Sequence, residues 1–290
     1  MKKNYTLFAF LLCVTIFSQE KAIRFYYELT YKPNKENDNT EMTITILDIS
    51  NKKSLYRDYT IVAQDSIVKS KVETIQKLGK FKEIEKIITI PKFSYKVIKY
   101  HPDYEIQYID GIEQQLFSYN EKINLSWVIH PDKRKIGIYN TQKASVVFGG
   151  RKWDAWFSTE IPFNDGPYKF YGLPGLIVQI GDDKNNYSWV LKGNKNIENY
   201  SDISYTENLY YSGKTTPINI QKEKFTKSFN DYKNDPLAKY KSQVPDNILN
   251  KKLPNSDLTY RDRLREQEET LKKFLNSNNN PIELPVEKPD

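Results

Sequence analysis

Between residues 22 and 191 short segments alternate apolar and polar side chains with a period of two, the mark of strands with one buried face. AIRFYYELTY, EMTITILDI, YEIQYI, LSWVI, KASVVFGG and YSWVLKG carry the pattern and are rich in Tyr, Ile, Val and Thr. Clusters of turn formers stand between them: KPNKENDN at 32–39, YIDGIE at 108–113, HPDKRK at 130–135 and GDDKNN at 181–186. The last cluster separates Leu176–Ile180 from Tyr187–Leu191 and predicts a hairpin. After about residue 220 the period changes. QKEKFTKSFNDYKN predicts a short helix, and SDLTYRDRLREQEETLKKFLNSNNN a longer one, capped by Ser256 or Asp257 and ended by Asn276–Asn280. Leu258, Leu264, Leu271 and Leu275 share one face of it, interrupted by Arg261 and Glu268, so the helix is expected to pack at the edge of the sheet. The pattern predicts a mainly β chain: a curved antiparallel sheet or half-barrel over 19–215, a helical extension over 216–280 and a disordered tail over 281–290.

A different pattern precedes the strands. Lys2-Lys3, an apolar run from Leu7 to Phe17 and Ser18-Gln19-Glu20 read as a signal peptide over 1–18, cut near Ser18, although Ile16 occupies a position that favours a small residue. The run is shorter than the roughly 20 residues that span a bilayer. A lipoprotein reading would acylate Cys13, but Leu12 is bulky and the cut would halve the apolar run. The expected location is the periplasm or the exterior, with no transmembrane segment in the mature chain. Cys13 is the only cysteine, so the mature chain has neither disulfide nor thiolate metal site. The formal charge of +7 falls to +5 without Lys2 and Lys3. Lys and Glu interleave in KLGKFKEIEK and REQEETLKK, which argues for a solvated surface and against a nucleic-acid stripe.

At the centre lies GPYKFYGLPGLIVQI, residues 166–180. Leu173-Pro174-Gly175-Leu176 has proline and glycine where a type II turn wants them, Gly172 allows close backbone approach, and Leu176–Ile180 reads as a buried strand. On this reading Gly172, Pro174 and Gly175 are structural. A phosphate loop would continue with Lys, a hydroxyl and a helix, and none follows. YGLPGLI, preceded by GRKWDAWFSTEIPFNDGPYKF and QKASVVFGG, resembles the GLPGLI family of exported Bacteroidetes proteins over about residues 125–195. The resemblance implies export and a place in the cell envelope, without an assigned activity. Many relatives have a cysteine at the position of Thr141, and no thiol role transfers to this chain.

Candidate chemistry is sparse. Asp154, Glu160 and Asp165 stand near Trp153 and Trp156, and paired carboxylates beside aromatics are how glycosidases are built. Strand alternation, however, puts Trp153 and Asp154 on opposite faces. His101 and His130 each precede proline in turn-like settings, with no metal-ligand spacing around them. No G-x-S-x-G elbow is present, and Ser145 and Ser158 are strand residues, so a serine hydrolase would need an arrangement defined by geometry alone. Twenty-two Tyr, fourteen Phe and four Trp could line a groove, with Trp153, Trp156, Tyr168 and Phe170 the foremost candidates. The expectation is a binding accessory of the envelope, without metal or cofactor, for an envelope protein or a small apolar or sugar ligand. The alternative is an exported hydrolase using the three acids.

Overall fold

A computed structural model describes residues 20–78, 88–112, 115–254 and 256–285, so the expected leader lies outside the described residues. Ten antiparallel pairings and one parallel one join twelve strands into a single open sheet. The first meander comprises β1 (Ala22–Tyr31), β2 (Glu41–Ile49), β3 (Lys53–Asp58), β4 (Lys96–Tyr100), β5 (Glu105–Ile112) and β6 (Gln115–Glu121). The chain then crosses to the far edge for a second meander: β7 (Val128–Ile136), β8 (Tyr139–Phe148), β9 (Arg151–Ser158), β10 (Leu176–Asp182) and β11 (Tyr187–Ile197). β11 pairs with β1 in mid-sheet, and the two-residue β12 (Ile218–Asn219) lies parallel to β6 at the edge opposite β7. The chain is therefore mainly β, as its alternation predicts.

The alternation decides what each face buries. Phe25, Tyr27 and Leu29 of β1, Leu47 of β2, Tyr56 of β3, Val97 of β4, Trp153 and Phe157 of β9 and Trp189 of β11 form one apolar core. Residues 159–175, joining β9 to β10, close over that core in place of a second sheet. They deliver Tyr168, Phe170 and Leu173, each under 5% exposed, into it. The predicted turn differs in detail. Gly175 N–H donates to the Leu173 carbonyl at 2.8 Å, a three-residue closure, while Leu176 N–H turns to Ile161. Gly172 holds the left-handed φ of 93°, and Gly175 is required by contact: a Cβ there would lie 2.2 Å from the Ser158 carbonyl oxygen.

The helices are α1 (Thr60–Ala63), α2 (Asp65–Leu78), α3 (Tyr205–Tyr210), α4 (Lys222–Asn234), α5 (Ala238–Gln243), α6 (Asp246–Leu249) and α7 (Tyr260–Ser277). α4 and α7 confirm the predicted helices. The N-cap of α7 is Thr259, which shares a capping box with Asp262 and displaces Ser256 and Asp257 from that role. α7 packs on α4 and α6 and buries no residue, while α4 touches β5 and β6; the expected packing of α7 on the sheet edge is thus replaced by helix on helix. α2 is unforeseen, although Val68 and Val72, four apart and buried, mark its inner face. HPDKRK, read as a turn, lies inside β7, where a register shift between Ile129 and Lys133 absorbs the proline. Tyr108–Ile112 of YIDGIE likewise belongs to β5. Of the tail, 281–285 are ordered against the core: Ile282 is 5% exposed among the core side chains and Leu284 N–H donates to the Gly149 carbonyl.

Candidate functional site

The residues flagged by sequence fall into three separate settings. Trp153, Tyr168 and Phe170 belong to the core, with ring centroids 4.9 Å apart for Trp153 and Phe170. Trp156 stands on the opposite face of β9, under the Arg134 guanidinium at 3.9 Å. The three acids are not brought together. Asp154 is exposed beside Lys143, Glu160 is exposed beside Asn140, and Asp165 is 1% exposed on the core side of the sheet.

Asp165 sits in the lid of the core. Lys99, fully buried on β4, places its ammonium 2.5 Å from Asp165 Oδ1 and donates to the carbonyls of Gly166, Tyr168 and Phe170 at 2.6, 3.1 and 3.2 Å. Burial by itself raises the Asp165 pKa, but Lys99, aided by His101 at 3.5 Å, holds it below the ordinary carboxylate range. A lysine in this position folds a polar loop against an apolar sheet by satisfying carbonyls that no strand pairs.

Asp154 has a different company. Ser145 Oγ, opposite it on β8, donates to Asp154 Oδ1 at 2.6 Å and lies 2.9 Å from His130 Nε2 on β7. The three form one hydrogen-bonded row across adjacent strands. The bulge in β7 lies at His130, which the sequence places in a turn.

The opposite face of the first meander carries a charged ladder that sequence reasoning missed. Arg24 of β1 bonds Asp48 of β2 through Nε and Nη2 at 2.6 and 2.9 Å, and Arg57 of β3 reaches Asp48 at 3.6 Å and Glu207 of α3 at 3.5 Å. Lys96 of β4 completes it on Glu207. All five side chains are nearly buried. Burial pulls the Lys96 ammonium below its usual pKa although Glu207 opposes it. The signal lay in the alternation: KSLYRD and KVIKY put Arg57 and Lys96 on one inward face, yet charged residues usually read as solvated ones.

Beside this ladder, α1, α3, the segment leading into β4 and β6 enclose a recess of about 70 Å³ that opens to solvent. Its walls include Ile61, Ile88, Ile90, Leu116 and Tyr210, and Arg57, Asp58, Lys96 and Glu207 also line it. Ser94, on the same lining, donates to Asp110 of β5 at 2.7 Å. Burial pushes the Asp110 carboxyl up to about 6, against hydrogen bonds from Ser94, Gly111 N–H and Tyr108 that favour its charged form. Asp110 itself lies behind Ser94 and off the lining, and the recess has the usual form of a small-molecule site only in being an apolar concavity with convergent polar groups. Among the described residues no group of three or more His, Cys, Asp or Glu is placed to hold a metal ion, and no helix is long and apolar enough to cross a membrane.

A family model described as a protein of unknown function (Porph_ging) matches residues 150–179, which comprise β9, the lid of the core and part of β10. No curated protein matches the chain. Two solved structures of PNGF-II, in the C2 and P21 space groups, each align over 72% of this chain at 12% identity with a TM-score of 0.48. The chain spans 32% and 33% of the length of those two.

Proposed function

We propose that this is an exported protein of the GLPGLI type that binds a ligand or partner in the cell envelope. The observation that carries the reading is the recess: apolar walls over a floor of paired charges offer burial and orientation to a bound molecule. The Gly-Leu-Pro-Gly stretch is given over to structure: Leu173 enters the core, Gly172 N–H donates to the Asn164 carbonyl and Gly175 N–H to the Leu173 carbonyl. The test is mass spectrometry of small molecules and proteins that co-purify with the mature chain from its native envelope, together with N-terminal sequencing of that chain. A defined companion and a new terminus after Ser18 are the expected results. A cytoplasmic chain that retains residues 1–18 contradicts the export part, and an empty chain contradicts the binding part.

A second reading, an exported hydrolase, would rest on the row His130–Ser145–Asp154, in which the Ser145 hydroxyl donates to the Asp154 carboxylate, the group able to take its proton, and His130 Nε2 donates to the same hydroxyl oxygen. Labelling of Ser145 by a fluorophosphonate, lost in His130→Ala, would establish a nucleophile there and displace the binding reading.

A further inference from the structure

We infer that the cleft filled by residues 280–285 is a docking site for an extended segment of a partner polypeptide, one that presents Asn, any residue, an aliphatic residue and an acid in succession. The chain's own segment is a tethered occupant that such a partner displaces. The cleft shares no lining residue with the recess.

The cleft reads a strand residue by residue. Arg151 Nη2 donates to the Asn280 side-chain oxygen at 2.7 Å, and the Asn280 amide donates to the Lys32 carbonyl and to Asn186 at 2.9 and 3.1 Å. Pro281 is exposed, and its carbonyl accepts from Arg151 at 2.7 Å. Ile282 is 5% exposed among core side chains, and its carbonyl accepts from Arg151 Nε at 3.0 Å. The Tyr168 hydroxyl donates to Glu283 at 2.6 Å, and Lys169 pairs with the same carboxylate. Leu284 N–H donates to the Gly149 carbonyl while its side chain stays exposed. Gly149 and Gly150 clear the path: a Cβ on them would lie 3.1 Å from Glu283 Cα and 3.1 Å from Leu284 Cβ. Main-chain bonds combined with pockets for alternate side chains are how extended peptides are recognised.

The cleft also tolerates release of its occupant. Without 280–285, Arg151 keeps Asp182 at 3.1 Å, and Lys169 keeps Glu121 and the Tyr119 hydroxyl, so neither buried cation is left alone. The segment withdraws one apolar anchor, Ile282, and α7, which leads into it, buries no residue. Charge selects what replaces it. Lys169 and Lys222 both face Glu121 and Glu283, so withdrawal of Glu283 leaves two cations on one carboxylate. An acid at the fourth position restores the balance, and a basic residue there is repelled.

The experiment is fluorescence-anisotropy titration of the full chain with a labelled peptide, NNPIELP, which copies residues 279–285. Because the internal segment is tethered, the wild-type chain should bind the peptide weakly. Ile282→Asp strips the internal segment of its apolar anchor and should raise peptide affinity at least about tenfold, the peptide restoring the Tm that the substitution lowers. Glu283→Lys evicts the internal segment by repulsion from Lys169 and leaves every core side chain in place, which gives a second chain with the same expected gain. On either variant a peptide carrying Glu283→Lys should bind at least about tenfold more weakly, and one carrying Pro281→Ala and Leu284→Ala within about twofold. No gain in affinity on both variants, or equal binding of the lysine-bearing peptide, would overturn the inference. A concentration-dependent wild-type dimer abolished by Ile282→Asp would give the cleft to a second copy and overturn it as well.

Discussion

Asp110 shows how one residue can oppose the stability of its own fold. Its pKa of about 6 in the native state exceeds the unfolded value near 3.9, so the native state holds the proton more tightly. Above pH 6 the carboxylate is charged in both states and the folded one bears the cost of burying it. As pH falls from 6 towards 4 that cost disappears. Asp110→Asn keeps an acceptor for Ser94 and Gly111 N–H and removes the charge. Chemical denaturation at pH 7.5 should find the variant more stable by about 2–3 kcal/mol, and the difference should vanish by pH 4. Equal stability at pH 7.5 would mean that the three hydrogen bonds already satisfy the charge. None of this was legible in YIDGIE, where Asp-Gly reads as a turn. The strand wins because Tyr108 and Ile112 flank the acid on the buried face.

At the scale of elements, the strands were legible wherever one face alone meets the core. AIRFYYELTY and YSWVLKG follow the alternation closely. What escaped were elements whose signal is split between competing rules. β7 hides a proline in a bulge, and α2 buries only Val68 and Val72 amid three lysines and other polar residues. The lid of the core was half read: its turn residues stood out in the sequence, but the lysine that anchors it comes from β4, 67 residues before Gly166. The two lid glycines act for different reasons. At Gly175 any side chain meets the Ser158 carbonyl at 2.2 Å, so Gly175→Val should cost more than about 3 kcal/mol. Gly172 has open space around a φ of 93°, and Gly172→Ala should cost only the backbone strain, about 1 kcal/mol. Thermal melts of both variants check this, and similar losses would refute the contact argument.

For the whole molecule, the segment 280–285 closes the assembly. Arg151 donates to the Asn280 side chain and the Pro281 carbonyl at 2.7 Å and to the Ile282 carbonyl at 3.0 Å, while also pairing with Asp182. Tyr168 and Lys169 hold Glu283. Every one of these three holders lies in the stretch matched by the family model, whereas the segment they grip does not. Arg151→Ala should lower global stability by about 3–5 kcal/mol, because it leaves Asp182 buried without its cation. Hydrogen exchange should show 280–285 opening before the sheet does; simultaneous opening would show that the segment is not separately held.

Because Ile282 completes the core and the Asn280 side chain bonds the Lys32 carbonyl, 248 residues away, closure of this fold joins segments far apart along the chain. Tyr27 must likewise find Ile177, 150 positions on. Such long-range closure makes for slow folding. Until residues 187–197 are made, the apolar row of β1 has β2 on one side and lacks β11 on the other, which leaves an unpaired strand edge open to misassociation.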